Sequence, residues 1–348
     1  MAKKVKIQDI ADALGVSRNT VSKAINNSPG LAEETRQKIL EKAVELGYKQ
    51  FSYVKAGALS GEEQEKEPPG FRGEIALFTT QFLAQPHFAS RMMDKFHRGL
   101  SELGYTLNTH RVRQRNLAGL TPPITFVPER TTAIVCFEIF DKAYADMVCA
   151  LGLPVLFVDG PVKSYGDRLE ADQLYMDNTS ELSGFVHAVL QRGWRRIGFI
   201  GDYRHCESFF ERYCAVRDTV MMEGLALEER FVLPYNDPGK LSQVLFSMEE
   251  LPDIFFCAND FIAFEVMEAL RSLGRRVPED VMLCGFDDCA ESRSCHPPLT
   301  TVHIHTDVMA EEALHLLSSR IREPGLEYRI VHTQSDLVER ESTNRKGK

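Results

Sequence analysis

Apolar residues in the first 48 positions recur every three to four residues, in blocks separated by short polar breaks. The first two blocks flank the sequence "GVS" and consist of Ile7, Ile10, Ala11 and Leu14, then Val21, Ala24 and Ile25. This spacing predicts two short helices, with Gly15 in the turn between them and Ser17 as the N-cap of the second. A third apolar stripe over residues 32–46 ends at Gly47 and predicts a third helix, so three helices share one small core.

From Gly73 the pattern changes to apolar runs that alternate with amphipathic segments. The runs "GEIALFTT", "TAIVCFEI", "PVLFVDG", "RRIGFIGD", "PDIFFCAND" and "DVMLCGFDD" predict strands buried on both faces. Helices are predicted over residues 88–103, 179–192, 211–222 and 261–273. This alternation is typical of parallel, doubly wound sheets. More than 260 residues are too many for one core, so two α/β subdomains with a cleft between them are expected.

The segment between these regions has a different texture. It contains "GEEQEKEPPG", which is charged, proline-rich and without apolar period, as in a flexible spacer. The predicted domains are therefore residues 1–48, a hinge and acidic linker over 49–72, and an α/β region over 73–341.

The charge of the chain is divided unevenly between these regions. Residues 1–60 carry ten Lys or Arg and six Asp or Glu, whereas the whole chain has a net charge of −9, which leaves −13 for residues 61–348. A polyanionic partner would therefore meet the N-terminal region. No apolar run is long enough to cross a bilayer and the N-terminus lacks a secretory signal, so a cytoplasmic protein without a membrane partner is predicted. The eight cysteines form no CxxC pair and are expected to be free thiols.

The second predicted helix carries polar side chains where a helix-turn-helix unit meets DNA. In such a unit the N-terminal side chains of the second helix face the major groove; here they are Arg18 and Asn19, with Lys23 one turn later. Arginine can bind a guanine edge and asparagine an adenine edge. The side chains suited to phosphate oxygens are Ser17, Thr20, Ser22 and Asn26. The sequence therefore predicts a surface for double-stranded DNA; the alternative is a small helical bundle with a merely solvated polar face.

Several predicted strands of the α/β region end in polar residues, at the edge of the sheet where ligands bind. These residues are Asp159, Asp177, Asn178, Asn259, Asp260, Asp287 and Asp288. Arg212 is predicted to open a helix shortly after "GFIGD". Acceptors and one forked donor in a cleft suit a polyhydroxylated ligand. The alternative is that these residues cap strand ends and bond the subdomains together.

Residues 6–48, "KIQDIADALGVSRNTVSKAINNSPGLAEETRQKILEKAVELGY", resemble the DNA-binding domain of the LacI/GalR family of transcription regulators. Four further segments are similar to the effector domain of that family, a two-subdomain periplasmic-binding-protein-like (type I) α/β fold. They are "DNTSELSGFVHAVLQRGWRRIGFIGD", "PDIFFCANDFIAFEVMEALRSLGRRVPEDVMLCGFDD", "HPPLTTV" and "LVEREST". The resemblance implies that Arg18, Asn19 and Lys23 read bases. It also implies that effector contacts come from Asp159, Arg212, Asn259 and Asp287, with further contacts from His87, Phe88 and Tyr235.

The hinge departs from the pattern of that family. The positions at which members carry proline, arginine and a leucine that wedges between bases hold Gln50, Lys55 and Gly57 in this chain. Glycine has no side chain to insert, and it disfavours a helix by about 1 kcal/mol relative to alanine. Leu59 or Tyr53 are the substitutes to consider for the apolar wedge.

Catalytic and metal motifs are missing from the sequence. It contains no GxSxG, GxGxxG, P-loop or HExxH pattern, so neither an enzyme nor a cofactor is predicted. Two groups of residues could ligate a metal or sense oxidants, but roles as core residues are favoured and no metal site is predicted. They are His303 with His305, and Cys289 with Cys295 and His296.

These observations favour a homodimeric transcription regulator, a repressor, that binds a near-palindromic operator and responds to a small molecule, with a carbohydrate as the first expectation. Two alternatives remain open. One is an architectural DNA-binding protein that needs no effector, and the other is a cytoplasmic solute-binding protein.

Overall fold

The computed structural model describes residues 7–25, 32–46, 70–80, 88–163, 168–235 and 240–345. The chain divides into two compact units, Met1–Glu67 and Pro68–Lys348. The predicted hinge, with Gln50, Tyr53, Lys55, Gly57 and Leu59, lies outside the described residues.

The first unit contains the three predicted helices: α1 (Ile7–Leu14), α2 (Arg18–Ile25) and α3 (Glu33–Glu45). The turn after α1 depends on Gly15, whose φ of +66° is accessible to glycine at little cost. The Thr20 backbone N–H donates to Ser17 Oγ at 3.1 Å, which confirms Ser17 as the N-cap of α2. The apolar stripes meet in one core: Ile10, Ala11, Val21, Ala24, Ile39 and Ala43.

The second unit alternates strands and helices. Its strands are β1 (Gly73–Thr79), β2 (Tyr105–Arg111), β3 (Thr131–Phe137), β4 (Val155–Val158), β5 (Asp172–Met176), β6 (Ile197–Ile200), β7 (Val232–Leu233), β8 (Ile254–Cys257), β9 (Met282–Cys284), β10 (Thr301–Ile304), β11 (Ile330–Thr333) and β12 (Ser335–Val338). Its helices are α4 (Phe88–Glu102), α5 (Gln114–Gly119), α6 (Lys142–Cys149), α7 (Ser180–Gln191), α8 (Glu207–Met222), α9 (Leu241–Ser247), α10 (Asp260–Ser272), α11 (Glu291–Ser294) and α12 (Thr306–Arg322).

Two parallel sheets form the two subdomains, as the alternating pattern predicts. The larger sheet has the order β11-β5-β4-β3-β1-β2 and the smaller one β7-β6-β8-β9, and every pair in both is parallel. Strands β10 and β12 pair antiparallel in a separate ribbon. All six predicted strands are present, as β1, β3, β4, β6, β8 and β9.

Helices cover both faces of each sheet, which is why the central strands can be apolar on both sides. One face of the larger sheet packs against α4 and α12, and the other against α6. In the smaller subdomain, α7 and α8 pack on one face and α9 and α10 on the other. The chain leaves the larger sheet after β5, forms the smaller subdomain, and returns through β10 and α12 to β11. The residues that follow β4, β5, β8 and β9 lie next to the first two turns of α8.

The start of α8 differs from the sequence prediction. The helix begins at Glu207, one turn before position 211, so Arg212 lies in its second turn rather than at its first residue. The Glu207 backbone N–H donates to the Gly160 carbonyl at 3.0 Å. This bond satisfies a helix-end donor from the other subdomain, and such a contact leaves no trace in local periodicity.

Candidate functional site

The first candidate site is the exposed side of α2. Arg18, Asn19 and Lys23 are exposed, whereas Val21 on the opposite side is buried in the core. The Ser17 and Thr20 hydroxyl groups lie 2.8 Å apart and bond each other, so both take part in the cap of the helix. Ser22 is half-buried, and Asn26 lies outside the described residues. The arrangement offers two long cationic side chains and one amide on a short, well-capped helix.

The second candidate site is the cleft between the α/β subdomains, with Arg212 at its centre. This residue is only 3% exposed. Its Nε donates to Asn178 Oδ1 at 2.9 Å and its Nη1 to the Ala258 carbonyl at 2.6 Å. Nη1 also lies 3.8 Å from Asp287 Oδ1, and the guanidinium carbon lies 3.5 Å from the centroid of the Phe286 ring. One side chain thus joins α8 to the segments that follow β5, β8 and β9.

Three carboxylates enter this cleft from strand ends. Glu138 follows β3, Asp159 follows β4, and Asp287 comes three residues after β9. All three have positive φ angles, +54°, +53° and +118°, which turn the chain sharply where each strand stops. Strained backbone of this kind is common where side chains are aimed at a ligand.

Burial dominates the electrostatics of these carboxylates. It raises the pKa of Asp159 to about 6, against the opposing effects of the Gly160 N–H bond and the Arg212 charge. Burial, and then the charge of Asp159, raise the pKa of Glu138 to about 7. Burial also raises the pKa of Asp287, and the Arg212 charge offsets only part of that rise.

Other strand-end residues have capping roles, as the alternative interpretation proposed. Asp177 Oδ1 accepts the backbone N–H groups of Thr179 and Ser180 at the start of α7. The fully buried Asp260 accepts the Thr301 hydroxyl at 2.6 Å and the Cys289 N–H at 2.9 Å. Asp177 thus caps α7, and Asp260 joins the start of α10 to β10 and to the segment after β9.

The Asn259 side chain caps α10. Its Oδ1 accepts the Ile262 N–H at 2.9 Å and caps α10. The oxygen is therefore engaged by the helix, and the amide nitrogen is the group that can donate to a ligand.

Of the three additional contacts that the resemblance implies, Tyr235 is described by the structure. It is half-buried and its hydroxyl donates to Glu265 Oε2 at 2.6 Å. His87 and the Phe88 side chain lie outside the described part of the chain, so their roles stay predictions.

A second polar layer beside Asn178 went unpredicted. Glu211 accepts the Asn178 amide at 2.8 Å and lies 3.3 Å from His332 Nε2. The His332 ring stacks on Tyr175 at 5.3 Å, and Lys163 Nζ lies 4.6 Å from the same tyrosine ring. The one available signal was that Glu211 lies next to Arg212 on the same predicted helix.

The described residues include no group of three or more His, Cys, Asp or Glu that could hold a metal ion. His303 and His305 instead lie 3.0 Å from Asp288 and Asp336, respectively. All eight cysteines are free thiols, which confirms that prediction. None of the described helices is long and apolar enough to cross a membrane.

Two family models match the chain. Residues 6–50 match the model described as bacterial regulatory proteins, lacI family. Residues 186–343 match the model of the periplasmic binding protein-like domain.

Known proteins resemble the chain over nearly its whole length. It is 28% identical to the HTH-type transcriptional regulator GalR of Lacticaseibacillus casei, over 97% of this chain and 99% of that protein. It is 25% identical to the HTH-type transcriptional repressor PurR of Vibrio atlanticus (strain LGP32), over 96% and 97%.

Among solved structures, the CelR–cellobiose complex matches 97% of this chain and all of that chain, with a TM-score of 0.66 and 23% identity. The lac repressor dimer bound to operator and the anti-inducer ONPF matches 98% and 99%, with a TM-score of 0.67 and 21% identity. At these identities the structural likeness establishes the fold.

Proposed function

Because this chain belongs to the LacI family of bacterial regulatory proteins, we propose that it is a homodimeric transcription repressor whose affinity for a near-palindromic operator is controlled by a small molecule in the α/β cleft. The observation that carries the proposal is the pairing of two sites in one chain. One is an exposed helix face with Arg18, Asn19 and Lys23, and the other is a buried polar cleft around Arg212.

The DNA-binding part of the proposal rests on α2. In the proposed complex Arg18 and Asn19 reach base edges in the major groove, Lys23 is the third base-reading residue, and Ser17, Thr20, Ser22 and Asn26 contact phosphates. Two such helices, related by the two-fold axis of a dimer, would read the two half-sites of the operator. This role places the protein beside DNA in the cytoplasm and assigns it no catalytic step.

The effector part rests on the chemistry of the cleft. Asp159 and Asp287 offer acceptors, and Arg212 and the Asn259 amide offer donors, all near the ends of parallel strands. Each hydroxyl of a polyol both donates and accepts, so a carbohydrate or a close derivative is the ligand that this mixture of groups supports. In the proposed complex, His87, Phe88 and Tyr235 add further contacts to the ligand.

The experiment that tests the DNA-binding proposal is selection of genomic fragments by the purified protein, run in parallel with Arg18→Ala and Arg18→Lys. The expected result is a short palindrome that the native chain enriches. Arg18→Ala should weaken binding by about 1–3 kcal/mol and relax one base pair in each half-site. Arg18→Lys keeps the charge but loses the fork that binds guanine, so it should lose specificity more than affinity.

Enrichment of no sequence by the native chain, or equal losses on all sequences in both variants, would contradict direct reading by Arg18.

The effector proposal needs a variant that still folds. Arg212→Ala leaves Asp287 buried without its cation, which typically destabilises a protein by about 3–5 kcal/mol. Arg212→Lys keeps the charge and removes the forked contacts. It is therefore the variant to use in a test of whether Arg212 binds the effector.

A further inference from the structure

Two histidines, His303 in β10 and His305 directly after it, lie side by side on one face of the chain. Residues two apart in an extended segment point to the same face, and the two imidazole rings have centroids 5.0 Å apart. Strand β10 follows the last strand of the smaller sheet, precedes α12 on the larger sheet, and pairs with β12. The two rings therefore lie on a crossover between the subdomains.

Each ring is held by a carboxylate through one of its nitrogens. His303 Nδ1 lies 3.0 Å from Asp288 Oδ2, and His305 Nε2 lies 3.0 Å from Asp336 Oδ2. An ionised carboxylate can only accept a hydrogen bond, so the nitrogen beside it carries the hydrogen. The opposite nitrogens, His303 Nε2 and His305 Nδ1, then carry lone pairs, and no residue that the structure describes bonds either of them.

This arrangement is typical of histidines that bind a metal ion. A metal-binding imidazole usually donates its other N–H to a carboxylate, which fixes the tautomer and the orientation of the ring. Asp288 is itself fixed, because it is buried and also accepts from Arg293 at 2.8 Å and from Arg340. The side chains of His303 and His305 are 33% and 34% exposed, so an ion can reach them from solvent.

The separation of the two rings fits one shared ion. Two imidazoles that each bind an ion at about 2.0–2.1 Å, with an angle between right and tetrahedral at the metal, have ring centroids about 4.5–5.2 Å apart. The observed 5.0 Å lies in this range. Because the described residues contain no group of three or more His, Cys, Asp or Glu suited to a metal, water would fill the remaining positions around the ion.

We propose that His303 and His305 bind one transition-metal ion of the class that imidazole prefers, such as Ni²⁺ or Zn²⁺, and that Asp288 and Asp336 orient the two rings. The inference goes beyond the proposed function, which assigns these residues neither to DNA nor to the effector. A bound ion ties residues 303 and 305 together where the chain passes from one subdomain to the other.

The test is calorimetric titration of the metal-free, full-length protein with Ni²⁺, which imidazole binds well and which thiolates select less than Zn²⁺. One Ni²⁺ per chain should bind in the micromolar range, and Mg²⁺, which prefers oxygen ligands, should not compete with it. His303→Gln and His305→Gln should each weaken Ni²⁺ binding at least about tenfold. The double variant should be little worse than either single one, because one ion needs both rings.

Two further variants separate a metal site from a structural role. Asp336→Asn leaves both imidazoles in place but removes the carboxylate beside His305, so it should weaken Ni²⁺ binding about tenfold. His315→Gln changes an exposed histidine on α12 and is the matched control, which should bind Ni²⁺ as the native chain does. Thermal melting of each variant without metal shows that a loss of binding does not come from unfolding.

Several outcomes overturn the inference. They are the absence of saturable binding, an unchanged Ni²⁺ affinity in both single histidine variants, an equal loss in His315→Gln, and additive losses that indicate two separate sites. Absorption spectra with Co²⁺ provide a second readout, because thiolate ligands give an intense near-ultraviolet charge-transfer band. Such a band would assign the ion to the free cysteines and would also overturn the inference.

Discussion

At the scale of single residues, Glu138 shows how the cleft stores unfavourable charge. This residue follows the buried strand β3, and its backbone has a positive φ. Its carboxyl group lies near the carboxyl groups of Asp159 and Asp287. A folded protein that holds such a group in its charged form is less stable than one that holds it protonated.

This cost has a measurable pH dependence. Burial and Asp159 raise the pKa of Glu138 from 4.5 to about 7, so between these values the folded chain binds more protons than the unfolded chain. Its contribution to stability is therefore present at low pH and is lost as pH rises toward 7. Relative to the native chain, Glu138→Gln should gain about 2–3 kcal/mol of unfolding free energy across this window.

The measurement is urea unfolding at a series of pH values, followed by the fluorescence of Trp194. It is the single tryptophan of the chain and is buried in the core of the smaller subdomain. Carboxyl groups that do not interact with Glu138 cancel in the difference between the two proteins, whereas Asp159 and Asp287, whose charges interact with it, contribute to that difference. Glu129→Gln, an exposed matched change, should run parallel to the native chain. A parallel curve for Glu138→Gln as well would contradict the placement of this carboxyl group in a buried, repulsive environment.

At the scale of elements, the six strands that the sequence predicted are buried along almost their whole length, and β5, which is also buried but reads "DQLYM", has no continuous apolar run and was not predicted. Strands such as β3 and β8 are continuous apolar runs because helices lie above and below them. By contrast, β2 is an edge strand with mostly exposed or half-exposed positions, and its sequence "YTLNTHR" has no apolar run. Strand β11 at the opposite edge is similarly exposed. Edge position is set by topology, which local periodicity does not contain.

The same limit explains which site residues could be predicted. Asp159 and Asp287 follow clear apolar runs and Arg212 stands near the start of the helix predicted over 211–222, so their polar character was visible. Glu138 lies inside the run "TAIVCFEI", and the apolar residues around it suggested a continuing strand. Only the positive φ at this residue, a property of the folded backbone, shows that the strand ends before it.

Helix α10 offers a way to separate a structural role from ligand binding. Asn259→Asp keeps an oxygen acceptor for the Ile262 N–H and adds a charge that favours the N-terminus of a helix. The exchange of the cap itself should change the unfolding free energy by less than about 1 kcal/mol, because Asn and Asp are equivalent caps, and repulsion from the neighbouring buried Asp260 adds to any loss. It removes the amide donor, so the effector concentration needed for a half-maximal change in operator binding should rise about tenfold.

Asn259→Ala is the matched control, because it removes both groups and should lose about 1 kcal/mol of stability as well as the effector response. The two readouts are the urea midpoint and the effector dose response of operator binding. An unchanged dose response in Asn259→Asp would show that Asn259 is only a helix cap.

At the scale of the whole molecule, the division of charge separates two tasks. Residues 1–60 are net positive, and residues 61–348 carry a net charge of −13. The acidic part repels a polyanion, so attraction to DNA is confined to the region that contains α2. Operator affinity should consequently fall steeply with salt concentration, and more steeply than effector binding in the cleft.

Control of the first unit by a ligand in the second requires a coupling free energy, and such coupling is reciprocal. If a bound sugar changes the operator affinity by some factor, bound operator must change the sugar affinity by the same factor. Factors of about 5 to 150 are typical of such couplings, and a value of one would identify an architectural DNA-binding protein instead.

The operator affinity should be measured without sugar and with saturating sugar, and the sugar affinity without operator and with saturating operator. Both measurements use the full-length chain at one salt concentration. Arg18→Ala should reduce the effect of operator DNA on sugar binding without changing the sugar affinity of the free protein, since Arg18 lies in a different compact unit from the cleft. Two unequal factors would mean that the ligands also change the association of the protomers, which a titration over protein concentration would then reveal.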